Sequence, residues 1–324
     1  MDYLLLVVGL GLLLLAANYL VDSSVAIAQR AKISNFIIGL TIVGVGTSAP
    51  ELFVSVSSAL SGSGDIAMGN VIGSNIANIF LILGVTAIIY PFDIERLQRH
   101  RDIPFLIIAT LFVTLIANDT IVPGIKENQL STLDGIVLLV CFVAYMCWVV
   151  VQKGKNPKKA MMEADEEAKS SLTGKAPWLL WGIALVSLVG LIFGGNLFLD
   201  SAKNLARAWG MSEAVIAITI VAVGTSLPEL VTAIVAACKK NPQLALGNVI
   251  GSNLFNLMFI LGTASTVQSM TFVDINIIDY MMMFLAAILL FIVVLTFKKD
   301  KMDRVEGIIF FAAYVGYTVY LLLR

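Results

Sequence analysis

The chain has 324 residues, of which 59% are hydrophobic and 13% charged, with a net charge of −1 and a mean hydropathy of +0.93. Soluble domains average about 45–50% apolar and about 25% charged residues, so the composition excludes a soluble globular fold and marks a polytopic membrane protein. The charge balance shows no basic field for nucleic acid, and no glycine-rich phosphate loop serves a nucleotide.

Apolar runs close to the ~20 residues that cross a bilayer fall at ten places: 3–21, 36–60, 67–91, 103–118, 133–151, 177–199, 212–237, 244–267, 280–297 and 305–323. The first has the length of a signal peptide but lacks its basic n-region, and a later segment matches it, so a retained span is expected. Of the 21 Lys and Arg, 17 follow odd-numbered spans and 4 lie on the other side. By the positive-inside rule, both termini are expected outside the cytoplasm of a multi-pass inner (plasma) membrane protein. Residues 152–176 form the long polar segment, expected as a solvated linker with a short helix over Met161–Lys169. Cys141, Cys147 and Cys238 lack metal-ligand spacing and read as small apolar fillers. His100 reads as solvated surface in a charged loop.

Sliding the sequence by 178 residues aligns Gly46–Gly84 on Gly224–Gly262 without a gap, with 19 of 39 positions identical. Asp22 falls on Asp200 and Ser34 on Ser212, and at an offset of 172 Asp134 falls on Glu306. Each half therefore holds five spans, 1–151 and 177–324, separated by the linker 152–176. Five is odd, so the second half enters the membrane from the opposite face, as an inverted repeat. The expected fold is an all-α polytopic membrane protein of ten transmembrane helices in two inverted five-helix repeats.

The identity concentrates in two peptides. One is Gly-Thr-Ser-x-Pro-Glu, ending at Glu51 and Glu229; the other is Gly-Asn-Val-Ile-Gly-Ser-Asn-x-x-Asn, at 69–78 and 247–256. A carboxylate at membrane depth costs roughly 2.5–3.5 kcal/mol on insertion scales and marks a functional site. Pro50 and Pro228 interrupt their helices, and freed backbone groups need a protein or cavity partner. Thr47 and Glu51, Thr225 and Glu229, Ser74 and Asn78, and Ser252 and Asn256 are each four apart and share a helix face. Carboxylate, hydroxyl, amide and carbonyl oxygens together suit hard cations such as Ca²⁺, whereas softer metals favour His or Cys. Gly69, Gly73, Gly247 and Gly251 suit close helix packing. Asn70, Asn75, Asn248 and Asn253 are either supporting partners or helix–helix hydrogen bonds. Asp22 and Asp200, at span ends, read as interfacial anchors.

These duplicated peptides closely resemble the alpha repeats of the sodium/calcium exchanger family, within the cation/calcium antiporters. Without a large cytoplasmic domain, the chain resembles the compact prokaryotic type. The resemblance implies that Glu51 and Glu229 are the central Ca²⁺ ligands, shared with Na⁺, and that Thr47 and Thr225 add oxygen there. It further implies Na⁺ sites lined by Ser48, Ser74, Ser226 and Ser252 with the carbonyls of Gly44 and Ala222. Asn78 and Asn256 take the midplane polar positions. Some relatives, including potassium-dependent ones, carry an acid at the position of Asn256, so Asn there argues against K⁺ coupling. The family's first and sixth spans slide to alternate access, and the glycines near 9–11 and 190–195 suit that.

The expected function is secondary antiport of Na⁺ against Ca²⁺ by alternating access, in the direction of Ca²⁺ extrusion. Alternatives are a Ca²⁺/H⁺ or K⁺-coupled antiporter of the same fold and, further off, a cation channel. No enzyme chemistry, cofactor, nucleotide or nucleic-acid partner is expected. The substrates would be Ca²⁺ and Na⁺, the surroundings a lipid bilayer, and the functional unit a monomer.

Overall fold

The computed structural model describes residues 1–119, 128–153, 170–211, 222–296 and 301–323. Helix α1 (Asp2–Ala31) is followed by α2 (Asn35–Thr47), α3 (Ala49–Leu60) and α4 (Gly64–Ile89). Strand β1 (Phe92–Asp93) leads through a wide helical turn, Gln98–Asp102, into α5 (Ile103–Ile116). Strand β2 (Asn128–Leu130) precedes α6 (Thr132–Lys153), and α7 is Pro177–Ala208. Next come α8 (Ala222–Gly224), α9 (Leu227–Cys238) and α10 (Pro242–Val267). The chain closes with β3 (Met270–Phe272), α11 (Ile277–Thr296), β4 (Lys301–Met302) and α12 (Arg304–Leu323).

Seven of these helices are long and apolar enough to cross a membrane, and the bent pair α2–α3 makes an eighth. The protein is thus a mostly helical integral membrane protein. Burial separates the helices into two groups. Of the most apolar stretch of α10, 94% is buried and of α4, 72%, against 33% in α1 and α7 and 22% in α12. The two peptide-bearing helices α4 and α10 therefore lie at the centre, and the broken helices pack on them.

Side-chain size decides which helices approach closely. A Cβ on Gly9 would lie 2.7 Å from the Phe198 backbone nitrogen, and one on Gly194 only 3.0 Å from that of Leu13. Helices α1 and α7 consequently run in backbone contact. At the α2–α10 crossing, a Cβ on Gly247 would overlap the Phe36 carbonyl oxygen and one on Gly251 that of Leu40. Residues 214–218, which align with 36–40 in the repeat, lie outside the described residues.

The structure departs from the all-α expectation. Strand β1 pairs antiparallel with β4, Phe92 opposite Met302, and β2 with β3, Asn128 opposite Phe272. Each ladder joins a connector of one half to a connector of the other, and backbone groups in such connectors need partners. Their two or three residues are too short to leave an alternating pattern in the sequence.

Other extents also shift. Helix α1 continues past position 21 to Ala31, because Asp22 through Ala28 are buried and stay helical, and ends on Lys32 in the left-handed conformation (φ 54°). The charged stretch expected as a loop before α5 is the helical turn Gln98–Asp102. His100 is exposed on it and contacts Arg99. Arg101 is instead buried, with its Nε 2.7 Å from Asp102 Oδ1. The cysteines are free, and Cys147 and Cys238 lie exposed on helix surfaces instead of filling the interior. Residues 154–169, with the expected linker helix, and 212–221, in the expected seventh span, lie outside the described residues.

Polar pairs repeat between the halves. Tyr145 Oη donates to Asp102 Oδ1 at 2.8 Å, and Tyr317 Oη to Asp279 Oδ1 at 3.0 Å. Asp134 accepts from the Ser131 amide at 2.9 Å where α6 starts, and Glu306 accepts from the Asp303 amide at 2.9 Å where α12 starts. Asp22, expected at a span end, lies inside α1, where Lys239 Nζ is 2.6 Å from Oδ1 and Ser171 Oγ donates to Oδ2 at 2.7 Å.

Candidate cation site between the two halves

Each Gly-Thr-Ser-x-Pro-Glu peptide breaks its helix at the serine. Ser48 has φ −84° and ψ 11°, Ser226 φ −89° and ψ 11°, and α2 and α3 bend by 46°. Pro50 and Pro228 sit in the first turn of the next helix, where the missing N–H sacrifices no hydrogen bond. The break places Glu51 in the first turn of α3 and Glu229 in that of α9, at the positive ends of the helix dipoles. Both glutamates are 1% exposed.

The two halves then exchange partners. Ser48 Oγ donates to Glu229 Oε1 at 2.9 Å, and Ser226 Oγ to Glu51 Oε1 at 3.4 Å. Thr47 and Ser252 stand beside the Glu229 carboxylate as well, and Ser74 beside that of Glu51. Ser226 and Ser74 are in mutual contact at 3.3 Å, so hydroxyls from α4 and the second break meet at one carboxylate.

The amides bridge the halves too. Asn78 Nδ2 donates to Asn253 Oδ1 at 2.9 Å, and Asn256 Nδ2 to Asn75 Oδ1 at 3.1 Å. Asn70 Nδ2 donates to the Glu51 carbonyl at 3.3 Å and to Ser55 Oγ at 3.0 Å. Thr47 Oγ1 contacts the Val43 carbonyl at 3.0 Å and Asn248 Oδ1 at 3.2 Å. Ser252 Oγ donates to the Gly44 carbonyl at 3.1 Å. Asn70, Asn75, Asn248 and Asn253, which the sequence leaves between two roles, are thus all bonded to site residues or to the backbone that carries them. Their identity in both repeats was the available signal; which partner each takes depends on packing between helices far apart in sequence.

Of the predicted residues, Thr47, Ser48, Glu51, Ser74, Asn78, Ser226, Glu229, Ser252 and Asn256 are all buried and drawn together with Gly44. Thr225 is half-buried, and no bond from it to the others is seen among the described residues. Ala222, the counterpart of Gly44, begins α8 next to 212–221, which lie outside the described residues.

Among the described residues, Glu51 Oε2, Glu229 Oε2, Asn78 Oδ1 and Asn256 Oδ1 are buried without a hydrogen-bond partner, as are two donors of the same cluster, Asn248 Nδ2 and Asn253 Nδ2. Neither glutamate has an ion-pair partner among the described residues. Burying an ionised carboxylate without a counter-charge costs several kcal/mol, and hard cations are the ligands that bind such oxygens. No cluster of three His, Cys, Asp or Glu exists among the described residues, so a cation held here would have to draw on neutral oxygens beside the two acids.

The profile of the sodium/calcium exchanger protein family matches residues 1–151 and 179–323. The chain belongs to that family. It is accordingly an exchanger and not an enzyme. Sodium/calcium exchanger MaX1 of Methanosarcina acetivorans is 30% identical over 99% of this chain and 98% of its own length. Putative antiporter CaxA of Alkalimonas amylolytica is 35% identical over 96% and 95% of the two chains. The solved structure of the sodium-calcium exchanger NCX_Mj superposes with a TM-score of 0.82 at 31% identity, covering 99% of this chain and 98% of that one. Matches that run nearly end to end make this a compact exchanger of prokaryotic type.

Proposed function

We propose that this chain is a cation/Ca²⁺ antiporter that exchanges Na⁺ for Ca²⁺ by alternating access, in the direction of Ca²⁺ extrusion. The observation that carries the reading is the crosswise bonding of Ser48 to Glu229 and Ser226 to Glu51, which leaves one oxygen of each carboxylate unpartnered. One site thereby depends on both halves. Two carboxylates balance one Ca²⁺ or two Na⁺, so the two loads compete for the same oxygens. Serine and threonine hydroxyls adapt to either state, donating to a carboxylate or turning a lone pair to the ion. Glu51 and Glu229 would hold Ca²⁺ with Thr47 and Thr225. Ser48, Ser74, Ser226 and Ser252, with the Gly44 and Ala222 carbonyls, would take Na⁺, and Asn78 and Asn256 the middle of the site. The names of the relatives, and NCX_Mj structures soaked with Na⁺, Ca²⁺ or Sr²⁺, support these ions.

The architecture that suits this activity is ten spans in two inverted repeats, 1–151 and 177–324, joined by the linker 152–176. Both termini would lie outside the cytoplasm of a plasma (inner) membrane, and a monomer in lipid would suffice, without a cofactor. The matched Ser48 and Ser226 breaks and the two ladders, β1 with β4 and β2 with β3, which map onto one another under the repeat, support it.

In proteoliposomes, an outward Na⁺ gradient should drive uptake of radiolabelled Ca²⁺, and Glu51→Gln or Glu229→Gln should abolish it. Uptake driven by a pH or K⁺ gradient and indifferent to Na⁺ would replace the coupling ion. Undiminished uptake in both variants would remove the site.

A further inference from the structure

A buried carboxamide has a donor end and an acceptor end of nearly the same shape, so its neighbours choose which way it points. In this site one of those neighbours has no choice. The carbonyl of Asn253 can only accept, and Asn75 Nδ2 faces it at 3.4 Å, with Met283 Sδ, another acceptor, 4.0 Å from the same nitrogen. Asn75 Oδ1 is therefore turned to Asn256, which must meet it with Nδ2, at 3.1 Å. The Asn256 oxygen is left at the other end, buried without a partner among the described residues. In the reciprocal pair Asn253 Oδ1 accepts from Asn78 Nδ2 at 2.9 Å and Asn78 Oδ1 is left over, but Asn253 Nδ2 is itself buried without a partner among the described residues, so no neighbour fixes the direction of that pair. All four amides are at most 1% exposed, so water is not at hand to satisfy a reversed one.

We propose that Asn75 is a positioning residue that fixes the direction of the Asn256 carboxamide, so that it offers oxygen and never N–H to the transported cation. The inference rests on the cation-site reading above. Asn75 itself need not touch the ion. With Asn256 reversed, its Nδ2, which carries partial positive charge, would face the cation while its oxygen met Asn75 Oδ1, two acceptors with no proton between them. The lock crosses the interface between halves, from Asn75 on α4 to Asn256 on α10.

The test uses the full chain in proteoliposomes, with Ca²⁺ itself as probe, and compares Asn75→Leu in two backgrounds. Supporting groups behind metal ligands typically contribute 10–100-fold in affinity, so Asn75→Leu should raise the Ca²⁺ concentration for half-maximal uptake by about tenfold. The Ca²⁺-induced rise in Tm of the purified protein should shrink with it. An Asn256→Asp chain has an acceptor at both ends of the side chain and no direction to set. Adding Asn75→Leu to it should not raise half-saturation, because it removes an acceptor that would otherwise face a carboxylate oxygen, a coupling that a purely structural role would not produce. An equal loss in both backgrounds, or no loss in the native one, overturns the proposal. If Asn75→Leu cannot be purified, Asn75→Ala in the same two backgrounds makes the same comparison, and the same two outcomes overturn the proposal. Glu51→Gln and Glu229→Gln run alongside. Transport that survives in both removes the site reading itself, whereas their inactivity with a silent Asn75→Leu removes only the amide lock.

Discussion

Ser48 Oγ donates to Glu229 Oε1 at 2.9 Å, joining two residues that stand 181 positions apart in the chain. The repeat-related contact, Ser226 to Glu51, is longer at 3.4 Å and shares its hydroxyl with Ser74. The two halves are therefore equivalent in sequence and unequal in the bonds they make in this structure.

That inequality predicts an order of effects. A hydrogen bond to a charged group contributes about 1.5–3 kcal/mol, so Ser48→Ala should weaken ion binding by about tenfold or more. Ser226→Ala should cost less, since Ser74 remains beside Glu51. Half-saturation of Ca²⁺ uptake in proteoliposomes measures both. A larger loss for Ser226→Ala would contradict the geometry.

Two nearby glycines on α1 should behave oppositely. A Cβ on Gly9 would press on the Phe198 backbone at 2.7 Å, whereas one on Gly11 meets nothing within 4 Å. Overpacking typically costs about 1–3 kcal/mol, and Gly to Ala in a helix gains about 1 kcal/mol of propensity. Gly9→Ala should lower Tm in detergent by several degrees, and Gly11→Ala should leave it unchanged or raise it.

The anchor at Asp22 is a coupled one. Its carboxylate takes Lys239 Nζ at 2.6 Å and Ser171 Oγ at 2.7 Å, so it ties α1 to the end of α9 and to the segment before α7. A double-mutant cycle of Asp22→Asn and Lys239→Met should return a coupling of about 1 kcal/mol, at the top of the usual range for exposed pairs. Additive Tm changes would show that the pair contributes nothing.

The Asp–Tyr pairs at the starts of α5 and α11 are structural by this account. Tyr145→Phe would strip Asp102 of a donor while Arg101 remains, so a loss of about 1–2 kcal/mol is expected, with Ca²⁺ half-saturation unaltered. Tyr317→Phe should act on Asp279 in the same direction. A changed ion affinity with an unchanged Tm would give these tyrosines a transport role instead.

Most of the candidate site was legible in the sequence, because a carboxylate, proline and hydroxyls within an apolar run are a local anomaly. Glu51 and Glu229 stand out by that measure alone, and duplication selects the serines and asparagines. Partners were not legible. Asn75 and Asn253 looked equally like packing amides and supporting ones, and only the Asn253 carbonyl, 178 positions from Asn75, settles which end of the amide faces Asn256. The wide helical turns at Gly39–Val43, Ala77–Leu83 and Phe255–Ile260 also carry no sequence mark, since one extra residue per turn alters no hydrophobic pattern.

By itself the sequence determined that this chain lives in a membrane, that it is a duplication, and which residue types line its polar centre. Those properties are local: hydropathy accumulates over about twenty residues, and identity between halves can be counted. Only the tertiary structure decided that each serine serves the other half's glutamate, that Gly9 and Gly194 rather than Gly11 carry the α1–α7 contact, and that two short ladders tie the halves together. These depend on how helices separated by about half the chain settle against one another, and side-chain volume and hydrogen-bond direction are resolved only at that contact.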